Sequence, residues 1–137
     1  MITTSVIEKN FDLTYSLDEC HKAIELIIPK FIYICHNSSK ATNYYRIGKS
    51  SGLTAVNFDV TFKIIDDTKT NLVLNCIIEN RIRNLQNQII ENFIEHFTLA
   101  LEGKIDELNE KAQSDSASFF VWIFILLIIF VVALIIL

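Results

Sequence analysis

The sequence is short of most features that announce a chemistry. Its three cysteines, Cys20, Cys35 and Cys76, are odd in number, far apart and set in apolar runs. That excludes a disulfide framework and a CxxC metal pair, and reads as buried free thiols in a reducing compartment. Positive charge is nowhere gathered: 12 Lys and Arg are interspersed with 16 Asp and Glu, so there is no basic face to displace counterions from a phosphate backbone, and nucleic acid is not an expected partner. The opening MITTSVIEKNFDLTYS lacks the cationic start and apolar run of a secretory signal. Internal repeats and low-complexity tracts are also missing.

Catalytic motifs are missing too. His21, His36 and His96 have no HxH or HExxH spacing, and Cys35-His36 is an adjacent pair whose side chains alternate to opposite strand faces. Gly48-Lys49-Ser50-Ser51-Gly52 departs from GxxxxGK[ST] and reads as a hairpin loop, not a phosphate cradle. Ser50 and Ser51 have no GxSxG surround. Asp66-Asp67 suits a turn between strands, where Asp bonds the local backbone. Glu91 and Glu95, with His96 beside them, fall opposite Phe93 and Phe97 on a helix, as a solvated face does. No catalytic, cofactor-binding or metal-binding residue is therefore assigned, no cofactor is expected, and the chain is not expected to be an enzyme.

What the chain does have is a long apolar end. Residues 119–137, FFVWIFILLIIFVVALIIL, contain no charge, glycine or proline. As a helix they span about 28 Å, close to the ~30 Å hydrocarbon core of a bilayer. A buried core helix keeps some polar positions, and this segment is apolar on every face. Phe119, Phe120 and Trp122 stand where aromatic rings favour the headgroup region, after the polar approach of Ser114, Ser116 and Ser118. The expected organisation is a soluble domain over 1–103, a polar juxtamembrane stalk over 104–118, and one transmembrane helix over 119–137. Lys104 and Lys111 before the span, with no positive residue after it, place the domain of this single-pass, tail-anchored chain in the cytoplasm.

Within the domain, Ile7, Lys9, Phe11, Leu13 and Tyr15 alternate with polar residues as a half-buried strand does. Ser16 to Glu19 form a capping box that starts a helix with Cys20, Ala23, Ile24 and Ile27 on one face, and Pro29 stops it. Two short strands, 31–35 and 43–47, flank a turn at Asn37-Ser38-Ser39. Val56, Phe58, Val60, Phe62 and Ile64 then alternate cleanly, and Leu72, Leu74, Cys76 and Ile78 return beside them. The i+4 ladder Leu85, Ile89, Phe93, Phe97 and Leu101, ending at Gly103, covers the apolar side. The predicted fold class is α+β: a curved antiparallel sheet of about five strands in the order β-α-β-β-β-β-α, packed on helices, plus the C-terminal transmembrane helix.

Over residues 11–101 this order, with Tyr45-Arg46-Ile47-Gly48-Lys49-Ser50 and Asn84-Leu85-Gln86-Asn87, resembles small bacterial domains of uncharacterised function with helix-grip or TATA-binding-protein-like folds. The resemblance implies no catalytic residues, and the basic, aromatic concave face of the DNA-binding member has no counterpart here. The function expected is a membrane-tethered, non-catalytic binding or scaffolding module that engages the bilayer through 119–137 and a protein partner through its exposed sheet face or loops. The alternative is a small domain that binds a hydrophobic ligand or lipid at the membrane surface, as some helix-grip folds open a pocket under the sheet; a domain this small is expected instead to fill its core.

Overall fold

Val56, Phe58, Val60 and Phe62 alternate with Asn57, Asp59, Thr61 and Lys63 along the central strand of a five-stranded antiparallel sheet, and all four apolar side chains are buried. This is a computed structural model describing residues 2–51 and 54–137, without the side chains of Ser51 and of residues 116–119. The chain divides into two compact units, Met1–Lys104 and Ile105–Leu137.

The first unit runs β1 (Thr4–Leu13), α1 (Leu17–Lys30), β2 (Ile34–Ser39), β3 (Tyr44–Ser51), β4 (Thr54–Asp66), β5 (Lys69–Glu79), a 3-10 turn at Asn80–Ile82, and α2 (Arg83–Leu101). The sheet order is β1-β5-β4-β3-β2, so the α+β class and the element order are as the sequence predicts. Register Phe58–Cys76, Val60–Leu74 and Phe62–Leu72 stacks the two central strands' apolar rows on one face. Each such side chain contributes about 1.5–3 kcal/mol by leaving water. Both helices pack on that face.

Helix α1 begins as the capping box predicts: Glu19 N–H donates to Ser16 Oγ at 3.3 Å, and Ser16 N–H donates to the Glu19 carboxylate at 2.8 Å. Its end differs from expectation. Pro29 lies inside the last turn, and termination is a Schellman-type cap: Tyr33 N–H donates to Ile28 O at 2.9 Å, and Ile32 N–H to Pro29 O at 3.4 Å. The residue that must turn left-handed is Ile32, with φ 57°, where a β-branched side chain is strained by about 1–3 kcal/mol. The reversal throws Ile32 into solvent and points its neighbours Phe31 and Tyr33 inward.

Other expectations also need correction. Asn37-Ser38-Ser39 is no turn: it pairs in β2 with Tyr44–Arg46 across a bulge, and the reversal falls after it, at Asn43 with φ 53°, a conformation Asn tolerates. Cys35 is exposed on this edge strand. The expected loop at 48–52 is strand to Ser51, while Gly52 lies outside the described residues. Gly48 is needed there because His36 and Asn57 reach across it to bond each other at 3.1 Å, and a Cβ would meet their side chains at 2.5 and 2.7 Å. Ile64 is exposed beyond the end of the core, and on α2 the buried stripe starts at Gln86, not Leu85. Gln86 ties the helix to two strands, accepting from Glu79 N–H at 2.7 Å and donating to Ala55 O at 3.3 Å.

The second unit is one helix, α3 (Ile105–Ile136), of 32 residues. It is long and apolar enough to span a membrane, and every residue from Phe120 to Leu137 is exposed. The side chain of Phe119, expected at the headgroups, lies outside the described residues.

Candidate functional site

Between the sheet and α2 the core is built from rings in continuous contact. Helix α2 supplies Phe93 and Phe97, whose rings stack at 6.2 Å between centroids; Phe58 meets Phe93 edge-on at 4.8 Å, and Phe62 stacks with Phe97 at 5.8 Å. Offset and edge-to-face pairs of this kind add about 0.5–1.5 kcal/mol each beyond burial. The ring chain ends on polar groups in both directions.

At one end Phe62 meets His21 of α1 at 5.5 Å and Tyr45 of β3 at 6.1 Å. His21 Nδ1 and Tyr45 Oη share a hydrogen bond of 2.6 Å, and His21 Nε2 lies 3.1 Å from Asn43 Oδ1. Since Asn43 offers an acceptor, Nε2 is the donor of that pair, which leaves Nδ1 to accept the hydrogen bond of the Tyr45 hydroxyl. Burial, and after it the Glu25 carboxylate, pushes the Tyr45 hydroxyl up to about 12. At the other end Phe93 meets Tyr33 edge-on at 5.5 Å; Tyr33 Oη is 2.9 Å from His96 Nδ1, and Phe31 stacks flat on His96 at 3.6 Å. Lys49 sits 5.2 Å from the Tyr33 ring centre and donates to Phe31 O. The strained turn at Ile32 is what brings Phe31 and Tyr33 to His96 together.

Of the residues weighed from sequence, His21 and His96 are thus buried at the two ends of the ring chain, and His36 stands apart on the outer sheet face. His96 corrects the expectation of a solvated face, while Glu91 on that helix is solvated and pairs with Lys9 at 2.9 Å. Asp66 acts as turn chemistry requires, its carboxylate accepting from Thr68 N–H at 2.8 Å and from its hydroxyl at 3.0 Å. Cys20 and Cys76 are buried with thiols held protonated, burial pushing Cys76 up to about 11, so neither is a ready nucleophile. Among the described residues no group of three His, Cys, Asp or Glu is placed to hold a metal. Local motifs could not show the two His–Tyr pairs, because each joins segments 24 and 63 residues apart. The available signal was helical spacing, since His21 lies on the Leu17–Ile24 face of α1 and His96 three residues after Phe93.

A cleft of about 200 Å³ opens between the helices, lined by Glu19, Lys22, Ala23 and Leu26 of α1 and by Ala100 and Leu101 of α2. Ligand pockets run to roughly 300–1,000 Å³. The cleft is therefore smaller than such a site, and no residue of the ring chain lines it.

No protein-family model matches the chain, and no curated protein does. Solved structures do. The structure of Ara h 8.0201 superposes with a TM-score of 0.53 at 12% identity, covering 77% of this chain and 99% of that one. Norcoclaurine synthase from Thalictrum flavum, in complex with dopamine and hydroxybenzaldehyde, superposes with a TM-score of 0.55 at 6% identity, covering 77% and 88%. Its truncated form gives 0.55 at 6%, covering 76% and 94%. The fold is helix-grip. At these identities the likeness concerns the fold alone, and it favours the helix-grip half of the resemblance seen in sequence. It also corrects the expectation that the chain is not an enzyme, because a synthase is built on this fold. The physical reason is the one just seen: a helix-grip interior gathers titratable side chains from distant segments, so missing local motifs do not exclude catalysis.

Proposed function

We propose that this chain is a membrane-tethered helix-grip domain that takes a small, apolar, ring-bearing molecule between its sheet and α2. The observation that carries the reading is the chain of stacked rings ending in two buried His–Tyr pairs. A core needed only for packing gains nothing from buried polar groups, whose desolvation must be offset bond by bond. A ligand with an aromatic body and a hydroxyl or carbonyl fits those groups: rings to stack on, and a histidine or tyrosine to meet its polar atom. Norcoclaurine synthase, on the same fold, is seen with dopamine and hydroxybenzaldehyde, which supports this class of ligand over the scaffolding reading. Because the cleft between α1 and α2, the mouth in this reading, is smaller than a ligand, binding requires α1 and α2 to part and the rings to re-pack.

The test is the full chain in lipid nanodiscs, extracted with organic solvent and compared with empty discs by mass spectrometry. A ring-bearing molecule enriched with the protein, and lost when Ala23→Trp plugs the mouth, is the expected result. Extracts indistinguishable from empty discs, with no melting-temperature shift on adding phenolic compounds, would refute the reading.

In this reading residues 1–103 are the binding domain, 104–118 the stalk and 119–137 the bilayer span, with the domain in the cytoplasm. Cys35 offers a direct check, since it is exposed while Cys20 and Cys76 are buried. A membrane-impermeant maleimide is expected to label Cys35 only after cells are permeabilised. Labelling in intact cells would put the domain outside.

A further inference from the structure

Helix α2 lies along β4 in the same direction: Gln86 bonds Ala55, Phe93 meets Phe58, and Phe97 stacks with Phe62. One more turn of helix, about 5.4 Å, brings the chain to Leu101. Two more strand residues, about 7 Å, bring β4 to Ile64. The first unit therefore releases its chain, at Gly103–Lys104, at the same end as the β4–β5 hairpin. That end also carries the start of α1, where Thr70 Oγ1 donates to Tyr15 O at 2.9 Å, and with it the helix-lined mouth.

At this hairpin the ladder slips between Ile64 and Asp66, and the two residues at the slip, Ile64 and Ile65, are 63% and 49% exposed. Bulges re-aim side chains. Lys63 and Lys69 flank them, the Asp66 carboxylate is turned back onto Thr68, and Asp67 is exposed at the turn. The tip thus presents two apolar side chains among charged groups of both signs, whose long lysine stems let the ammonium groups stay at the headgroup level while the isoleucines reach below it.

We propose that this hairpin docks into the bilayer that anchors the chain, seating Ile64 and Ile65 among the lipid headgroups and setting the mouth between α1 and α2 against the membrane, the source of an apolar ligand. The inference rests on the membrane reading above. Two isoleucines would not hold a free protein on a bilayer. Here the covalent tether makes docking intramolecular, and a small patch suffices at the high effective concentration that results. The alternative is a stand-off geometry: residues 105–118 as an upright helix would reach about 20 Å and leave the hairpin in water.

The chain has one tryptophan, Trp122, which makes the test clean. The full chain is reconstituted into phosphatidylcholine vesicles with brominated acyl chains, as the unaltered protein and as Ile65→Trp or Ile77→Trp in a Trp122→Phe background. Ile77 is the control because it is 67% exposed on the outer sheet face, beyond Cys76, which pairs with Phe58 at the other end of the sheet. Ile65→Trp is expected to be quenched several-fold more than Ile77→Trp, with blue-shifted emission. Quenching of Trp122 in the unaltered chain, with Ile65→Trp no more quenched than Ile77→Trp, overturns docking and leaves the anchor standing. An unquenched Trp122 overturns the membrane reading, and docking with it.

Discussion

Phe93→Ala is expected to cost about 3–5 kcal/mol, a large share of the ~5–15 kcal/mol that holds an ordinary domain together. The ring is fully buried and touches Phe58, Tyr33 and Phe97, so truncation removes its transfer energy and leaves a cavity that three rigid neighbours cannot close. Phe62→Ala is expected in the same range, because Phe62 joins His21, Tyr45 and Phe97. The double variant should cost less than the sum, since Phe97 stacks on both rings and a single collapse relieves both losses. Denaturant unfolding of the full chain in a membrane mimetic checks all three. Costs below about 1 kcal/mol for both single variants would mean that the interior is not closed by this ring chain.

Those two rings were legible in sequence, and so was most of what surrounds them. Period-two alternation in β4 and β5 and the Phe93/Phe97 ladder are strong signals because each element has one wet and one dry face, and burial obeys that division from Val56 to Phe62 and, apart from the buried Val73, from Leu72 to Ile78. The signal failed where the wet–dry division ends. Ile64 continues the alternation but runs past the helix that would cover it. Leu85 continues the i+4 ladder, yet the buried place belongs to Gln86, whose amide satisfies a strand N–H and a carbonyl that leucine would leave unpaired. The turn was misplaced because Asn37, Ser38 and Ser39 are turn-formers by composition, whereas an edge strand facing water accepts them.

The candidate site was less legible, for a different reason. His21 and His96 each sit at apolar helical spacing, but a lone histidine on such a face is equally a surface residue until its partner is known, and the partners are tyrosines on other elements. Tyr33 reaches His96 only through the left-handed Ile32, a conformation no propensity scale would assign to isoleucine. Strain of this kind persists where the surroundings over-determine it, and it lies here at a junction of helix, strand and site.

The Tyr45 hydroxyl yields the second large effect, through its proton. Its ordinary value is near 10, and burial with the Glu25 carboxylate raises it to about 12 in the fold. Because the folded state holds this proton more tightly than the unfolded chain, the associated stability is complete below about pH 10 and is lost as the pH rises through about 12, a change on the order of 2 kcal/mol. Cys76, raised to about 11 by burial and by Asp59, adds in the same direction. Tyr45→Phe separates the two. Near neutral pH the variant should be less stable by about 1–3 kcal/mol, since His21 Nδ1 loses its partner in a buried place. In alkali the wild type forfeits the tyrosine's share and the variant does not, so the gap between them should narrow steadily above about pH 10. Unfolding free energies of both proteins across that range decide the matter: parallel curves would mean that the Tyr45 hydroxyl titrates as it would in water and that its end of the ring chain is open to solvent.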